Sequence, residues 1–343
     1  MSCFIIAEAG VNHNGSEERA LQLVDEAVSA GANAVKFQTF RAKNLVKKGA
    51  EKAAYQKKGT GDGDQYEMLK KLELSDSAHE RLFKYCEDAG IEFMSTGFDE
   101  GSINLLINLG VKRLKIPSGE LTNIPYISYI ASKNLPIILS TGMGDMDEVS
   151  EAINTIKQVR DDSGFKEPLS KMLSILHCTS NYPTSLENVN LSAMKTMEKE
   201  FGLPVGYSDH TEGTLVSSAA VAMGAQVIEK HFTIDRNLPG PDHKASLEPH
   251  ELKEMISNIR DIEKCMGNGK KIPTKTELEV RKVVRRSIVM AKVVPKGIAL
   301  SISDLILLRP EGGIPPKYLE NVIGKTVKHD MGKGDILQWG DLV

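Results

Sequence analysis

Short apolar runs alternate with amphipathic stretches along most of the chain, and glycine marks many of the junctions. Residues 4–8 form a β-rich run. Ser16 then stands as an N-cap ahead of Glu17 and Glu18, with Ala20, Leu23, Val24 and Ala27 on one helical face and Gly31 as the terminator. Residues 34–38 predict the next strand. The cycle recurs: a helix after Ser75 stops at Gly90 before a strand at 91–95, and one after Asp99 stops at Gly110 before a strand at 113–116. Further strands are predicted at 136–140, 172–177, 204–208 and 226–231, with helices between them. Such alternation calls for a parallel sheet. Eight strand–helix units predict an α/β fold closed into a (β/α)8 TIM barrel. An open doubly wound sheet would usually have fewer strands and a glycine-rich phosphate turn after the first, and none follows here.

The pattern stops after a helix predicted to end at Met266. The barrel is therefore assigned to residues 1–266, a linker to 267–284, and a compact β-rich domain to 285–343, with short strands at 287–290 and 291–294. A domain of about 60 residues is marginal alone, so it is expected to rest on the barrel or on a partner subunit. The charged residues 41–74, with Gly59, Gly61 and Gly63, read either as a lid over a site or as a mobile surface loop.

Composition acts mainly by exclusion. Hydrophobic residues at 41% and charged residues at 26% rule out a disordered chain, and a net charge of -3 gives no support for a nucleic-acid or membrane partner. No apolar run approaches the roughly 18 residues of a membrane span. Cys3, Cys86, Cys178 and Cys265 lie too far apart for a zinc or redox motif. A cytoplasmic protein with buried thiols is expected.

Barrel enzymes work at the C-terminal ends of their strands. Here those ends collect Glu8, Lys36, Gln38, Thr96, Lys115, Ser118, Ser140, His177, Ser208, His210, Glu229 and His231, a set that a mere scaffold would not need. His210 and His231 each close a strand, and with oxygen donors they suit Mn²⁺, Mg²⁺, Co²⁺ or Zn²⁺. The alternative is two structural histidines hydrogen-bonded inside the barrel. Lys36 and Lys115 end buried strands, where an unpaired ammonium is costly unless it meets an anion. With Gln38, Thr96, Ser118 and Ser140 they form a cradle for a carboxylate and a phosphate; a Schiff-base lysine at Lys115 is the rival use. Glu8 and Glu120 serve as base, as orienters of water, or as structural partners of a lysine.

The motifs Ala7-Glu8-Ala9-Gly10-Val11-Asn12-His13-Asn14-Gly15, Val35-Lys36-Phe37-Gln38-Thr39, Lys115-Ile116-Pro117-Ser118-Gly119-Glu120, Leu139-Ser140-Thr141-Gly142-Met143, Leu176-His177-Cys178 with Tyr182-Pro183-Thr184, Tyr207-Ser208-Asp209-His210-Thr211 and Glu229-Lys230-His231-Phe232-Thr233 resemble the sialic acid synthase family over essentially the full length. The C-terminal part, including Leu308-Arg309-Pro310, resembles the antifreeze-like (SAF) domain appended in that family. The resemblance implies a metal-dependent condensation of phosphoenolpyruvate with an open-chain N-acetylated hexosamine. N-acetylmannosamine, giving N-acetylneuraminate, is the first expectation, and a 2,4-diacetamido-trideoxyhexose, giving N,N'-diacetyllegionaminate, is the alternative. It implies further that His210 and His231 hold the metal, Mn²⁺ first with Mg²⁺ or Co²⁺ as alternatives. The phosphoenolpyruvate anions would fall to Lys36, Gln38, Thr96, Lys115, Ser118 and Ser140, the phosphate to Asn181, and the sugar to Tyr182 and Asp242. Glu8 or Glu120 would orient water, and Arg309 would reach the neighbouring site of a domain-swapped homodimer. The chain departs from the family at Gly97, where proline is frequent, and at Glu311-Gly312-Gly313, where Gly-Asn-Gly is common. A Schiff-base pyruvate aldolase and a carbohydrate-sensing barrel without turnover remain as competing readings.

Overall fold

The computed structural model describes residues 2–343, which fall into two compact units, one ending at Gly267 and the other beginning at Asn268. In the first, eight parallel strands close on themselves: β1 (Phe4–Gly10), β2 (Ala34–Thr39), β3 (Glu92–Gly97), β4 (Leu114–Ile116), β5 (Ile137–Ser140), β6 (Leu173–Cys178), β7 (Val205–Asp209) and β8 (Val227–His231), which pairs back with β1. This is the expected TIM barrel. Its helices obey local signals. Helix Glu17–Ala30 starts where the Ser16 side chain accepts the Arg19 N–H and ends at left-handed Gly31. Helices Asp76–Ala89 and Glu100–Leu109 use Ser75 and Asp99 as caps and Gly90 and Gly110 as terminators.

Strand alternation sorts the side chains into two layers. Ala7, Val35, Phe37, Phe93, Tyr207 and Ile228 join the large core shared with the helices. Ile6, Ala34, Met94, Ile138, Leu176 and Val227 form a separate apolar cluster that plugs the barrel interior. Two residues further along five of these strands, the same face presents Glu8, Lys36, Thr96, Ser140 and Glu229. The apolar plug therefore forces this polar set to open toward the C-terminal ends.

Residues 41–74 carry three short helices, Ala42–Leu45, Ala54–Thr60 and Gln65–Lys70. The first and third contribute Leu45, Met68 and Leu69 to a small cluster with Val11, Phe40, Leu72 and Phe98. The Gly59 carbonyl accepts the Gly240 N–H at 3.2 Å, and a Cβ on Gly59 would lie 2.2 Å from the Gly240 oxygen. Only glycine permits that approach of the segment to the loop after β8.

In the second unit, the predicted linker contains a helix, Lys275–Val284, capped by Thr274 and Glu277 and with no buried residue. Strand β9 (Ser287–Met290) pairs antiparallel with β10 (Leu305–Leu308) over a core that includes Ile288, Met290, Val294, Leu300 and Leu337. The strand expected at 291–294 does not form. Val294 makes only an isolated bridge to Met331, and Pro295, which lacks an N–H, ends the run. Residues 305–308 pair with β9 instead.

Candidate active site

The sheet register itself assembles the site. Glu8 lies opposite Lys36 on β2 and opposite His231 on β8; Gln38 is beside Thr96, Thr96 beside Lys115, and Ser208 beside Glu229. Residues far apart in sequence thus become neighbours around one rim. They line a cavity of ≈ 530 Å³ together with Ser118, Glu120, Ser140, Ser180, Tyr182 and His210. A larger hollow of ≈ 630 Å³ lies along the outer face of helix Met146–Asp162, lined by Asp147, Glu151 and neutral polar side chains. It brings no lysine or histidine to a carboxylate.

At the floor of the cavity, two ammonium groups stand between two carboxylates. Lys36 Nζ is 2.8 Å from Glu8 Oε2 and 3.5 Å from Glu229 Oε2, and it donates to Thr96 Oγ1 at 2.9 Å. Lys115 Nζ donates to Ser140 Oγ at 2.7 Å and lies 3.8 Å from Glu229 Oε1, which accepts from Ser208 Oγ at 3.0 Å. All four charged residues are at most 6% exposed. Glu8 Oε2 and Glu229 Oε2 have the Lys36 ammonium beside them but no further donor, and His231 Nδ1 is buried without a hydrogen bond among the described residues. Orphaned buried polar atoms are costly, and here they belong to three residues that line the cavity.

The electrostatics separate the two carboxyls. Burial pushes Glu8 up, the neighbouring Glu229 adds to this, and Lys36 only partly opposes it. Burial also acts to raise Glu229, but the ammonium groups of Lys115 and Lys36 and the Ser208 hydrogen bond hold it well below the ordinary carboxylate range. Lys36 is raised: burial would lower it, yet Glu229 and Glu8 prevail. Lys115 is lowered, chiefly by burial. A proton-holding acid beside an ionised carboxylate is a pairing that general acid–base chemistry uses.

His210 and His231 stand with ring centroids 5.5 Å apart, and Tyr182 packs on both, at 4.1 and 5.7 Å. Burial keeps both imidazoles neutral, the state in which a histidine ligates a metal. The Thr179 carbonyl, 2.8 Å from His210 Nδ1, fixes a ring orientation that leaves Nε2 as the free lone pair. No group of three or more His, Cys, Asp or Glu is arranged around a metal position among the described residues. Two neutral imidazoles at one corner of the cavity are side chains that could hold a divalent ion. Gly10, at φ +52°, closes this corner: a Cβ there would sit 3.3 Å from Glu8 Oε1 and 3.5 Å from both Gln38 Nε2 and His231 Cε1.

Among the other expected residues, Glu120 is half-buried and accepts from Asn123 at 2.6 Å. Asp242 is buried in the loop after β8, and desolvation pushes its carboxyl up to about 6. Arg309 belongs to the second unit, exposed at the end of β10. Asn181, expected to bind phosphate, is exposed and does not line the cavity; Ser180 and Tyr182 on either side of it do. Its carbonyl accepts from Thr184 Oγ1 at 2.7 Å, which ties the backbone rather than aiming the amide inward. Sequence reasoning gave Glu229 no role, although its spacing of two from His231 puts both on one face. It also gave none to Tyr55 and Gln56, whose segment brings Tyr55 to stack on Tyr182 with centroids 5.0 Å apart.

Known proteins resemble the whole chain. It is 55% identical to an N,N'-diacetyllegionaminic acid synthase of Legionella pneumophila, over 99% of this chain and 94% of that one. It is 46% identical to a synthase of the same name from Campylobacter jejuni, over 97% and 98%. The crystal structure of an N-acetylneuraminic acid (sialic acid) synthetase from Leptospira borgpetersenii, in complex with citrate, superposes with a TM-score of 0.70 at 34% identity, covering 82% of this chain and 90% of that one. The model of the SAF domain matches residues 285–343. With the NeuB family model matching residues 23–271, the chain belongs to the NeuB family.

Proposed function

We propose that the protein condenses phosphoenolpyruvate and water with the open-chain form of 2,4-diacetamido-2,4,6-trideoxymannose, giving N,N'-diacetyllegionaminate and phosphate. The observation that carries this reading is a buried two-lysine cradle and two neutral histidines in one cavity. Lys36 and Lys115, with Gln38, Thr96, Ser118 and Ser140, offer the donors that a carboxylate and a phosphate require. For the acceptor, support comes from the two relatives named for diacetyllegionaminic acid, at 55% and 46% identity, against 34% for the synthetase named for N-acetylneuraminic acid. N-acetylmannosamine, the acceptor first expected, becomes the alternative.

His210 and His231 would hold the divalent metal, Mn²⁺ first and Mg²⁺ or Co²⁺ as alternatives; when bound, it supplies Lewis acidity toward a carbonyl oxygen. Glu8, which keeps its proton through burial, gives it to the aldehyde oxygen as the enol carbon adds to the aldehyde carbon. The central carbon of phosphoenolpyruvate, left electron-poor, takes up water. Glu8, now ionised, or Glu120 orients that water and receives its proton. The adduct's hydroxyl then becomes the keto carbonyl as the C–O bond to phosphate breaks, its proton passing to the leaving phosphate, while Lys36 and Lys115 stabilise the departing charge. Tyr182 and Asp242 face the sugar. Arg309 meets the sugar of a neighbouring subunit in a domain-swapped homodimer. The exposed Val280 and Val283 on the unburied helix Lys275–Val284 suit such association, and a monomer by light scattering would remove it.

The test is phosphate release with Mn²⁺ and each of the two sugars, with and without EDTA. Turnover of the trideoxy sugar that disappears on chelation is expected; turnover of N-acetylmannosamine alone would reassign the product. One observation favours a rival: burial depresses the Lys115 ammonium, as a Schiff-base lysine requires. Borohydride trapping of pyruvate on Lys115, with indifference to EDTA, would establish that reading instead.

A further inference from the structure

The floor and the outer wall of the cavity come from different parts of the chain and differ in chemistry. Residues 41–74 contain 14 charged side chains, yet among the described residues none of them lines the cavity. The segment turns Leu45, Val46 and Leu69 inward, with Phe98 beside them, and its only polar contributions are the Tyr55 hydroxyl and the amides of Gln56 and Gln65. Leu45, Leu69 and Phe98 pack from below on Val11, Phe40, Met68 and Leu72, which holds them in place as a surface. The segment is anchored by the glycine-only approach of Gly59 to Gly240 and by Tyr55 stacked on Tyr182.

We infer that this apolar wall is the element that selects the acceptor. It receives the methyl groups at the far end of a 2,4-diacetamido-2,4,6-trideoxy sugar and rejects sugars that are hydroxylated or phosphorylated at C6. The inference rests on the reaction proposed above. The anions and the reacting aldehyde are held at the charged floor, so the C4–C6 end of an extended six-carbon chain must lie along the wall. There the two candidate acceptors differ in chemistry. The trideoxy sugar carries a methyl at C6 and an acetamido group at C4, whereas N-acetylmannosamine carries hydroxyls at both. Methyls leave water favourably against leucine and phenylalanine. Hydroxyls would lose hydrogen bonds to water that Leu45, Val46 and Leu69 cannot replace. Gln65 is a neutral amide suited to an acetamido group, while Gln56 Oε1 already accepts the Ala53 N–H at 3.0 Å, and no described cation of the wall stands ready for a phosphate.

The experiment measures equilibrium binding of two unreactive probes, the alditols of 2,4-diacetamido-2,4,6-trideoxymannose and of N-acetylmannosamine, to the full-length protein with Mn²⁺ and phosphoenolpyruvate. The wild type is expected to prefer the first by about tenfold or more, the scale of a methyl-sized pocket difference. In Leu45→Asn/Leu69→Asn this ratio should fall to about one, with phosphoenolpyruvate affinity retained. Val46→Asn, outside the supporting cluster, should lower it by about threefold even if the double variant unfolds. An unchanged ratio in a folded variant overturns the inference, and so does a wild type that binds the second probe as well as the first or binds neither. Turnover of the trideoxy sugar with an unchanged ratio would keep the reaction and sink the wall. Absence of turnover with either sugar would sink the reaction itself.

Discussion

The barrel buries lysine–carboxylate groups on both sides of its sheet, and the two sides treat them differently. Facing outward, Asp209 and Lys230 form an ion pair at 3.0 Å with both side chains fully buried. Both partners of this pair are met: Asp209 accepts from the Thr211 N–H at 2.8 Å, from Thr211 Oγ1 at 2.7 Å and from Ser217 Oγ at 2.7 Å, and Lys230 also donates to the Thr211 carbonyl at 2.5 Å. Facing inward, Glu229 on β8 and Glu8 on β1 are also buried with lysines close by, yet one oxygen of each has the Lys36 ammonium and no further donor. A satisfied buried pair specifies structure; an unsatisfied one awaits a ligand. Burial and charge alone do not separate the two, but the hydrogen-bond inventory does.

The largest expected effect that would break this comparison comes from Lys36→Met. Its loss should lower condensation activity by roughly 10³-fold, because one of the two anion-stabilising cations disappears. The melting temperature should hold or rise, since burial already favours the protonated form of Glu8 and Glu229 keeps Lys115 as its cation. A large fall in stability with only a small loss of activity in the folded fraction would place Lys36 with the structural pair instead.

Lys230→Met should show the converse. It leaves the buried Asp209 carboxyl without its cation, at a cost of roughly 3–5 kcal/mol in unfolding free energy. Asp209→Asn/Lys230→Met removes both charges while keeping an acceptor for Thr211 and Ser217, and it should recover most of that loss. Denaturant unfolding of the three proteins checks the pattern. A double variant no more stable than Lys230→Met would mean that the hydrogen bonds, rather than charge balance, hold this layer.

Much of the comparison was legible in the chain itself because its causes are local. Ser16, Ser75 and Asp99 cap helices, and Gly31, Gly90 and Gly110 end them, through contacts within a few residues. Alternation by two puts Glu8, Lys36, His210 and His231 on the inner face wherever the strands pair. What escaped depends on contacts between distant segments. The role of Glu229 is set by Lys36 and Lys115 on other strands, and nothing in its neighbours distinguishes it. Asn181 and Ser180 sit in an irregular loop where no periodicity tells which side chain turns inward. The three helices within residues 41–74 are one or two turns long, too short to show a period; two take their place from packing on Phe40 and Phe98, and Ala54–Thr60 from the contacts of Tyr55 with Tyr182 and Gly59 with Gly240.

Asp242 sharpens the comparison at its smallest scale, as a buried carboxyl near Tyr55 and Tyr182 with no charge-paired partner among the described residues. Desolvation alone raises it from 3.8 to about 6. The folded protein therefore binds this proton more tightly than the unfolded chain does. Between about pH 4 and pH 6 the native state carries more proton than the unfolded state, so the contribution to stability falls as pH rises through that window and is flat above it. At 1.36 kcal/mol per pH unit the full span is roughly 3 kcal/mol. Other groups titrate in the same range: His13 and His243, held neutral by burial, act in the opposite sense, since protonation of the unfolded chain favours unfolding as pH falls below 6.5. The difference between wild type and Asp242→Asn removes those common contributions. The two proteins should melt alike near pH 4, and the variant should be the more stable above pH 6.5, by an amount that grows across the interval between. A constant difference from pH 4 to pH 8 would show that Asp242 is ionised throughout and has a cation or a hydrogen-bond donor to hold it. It would then belong with Asp209 among the satisfied carboxylates rather than with Glu8.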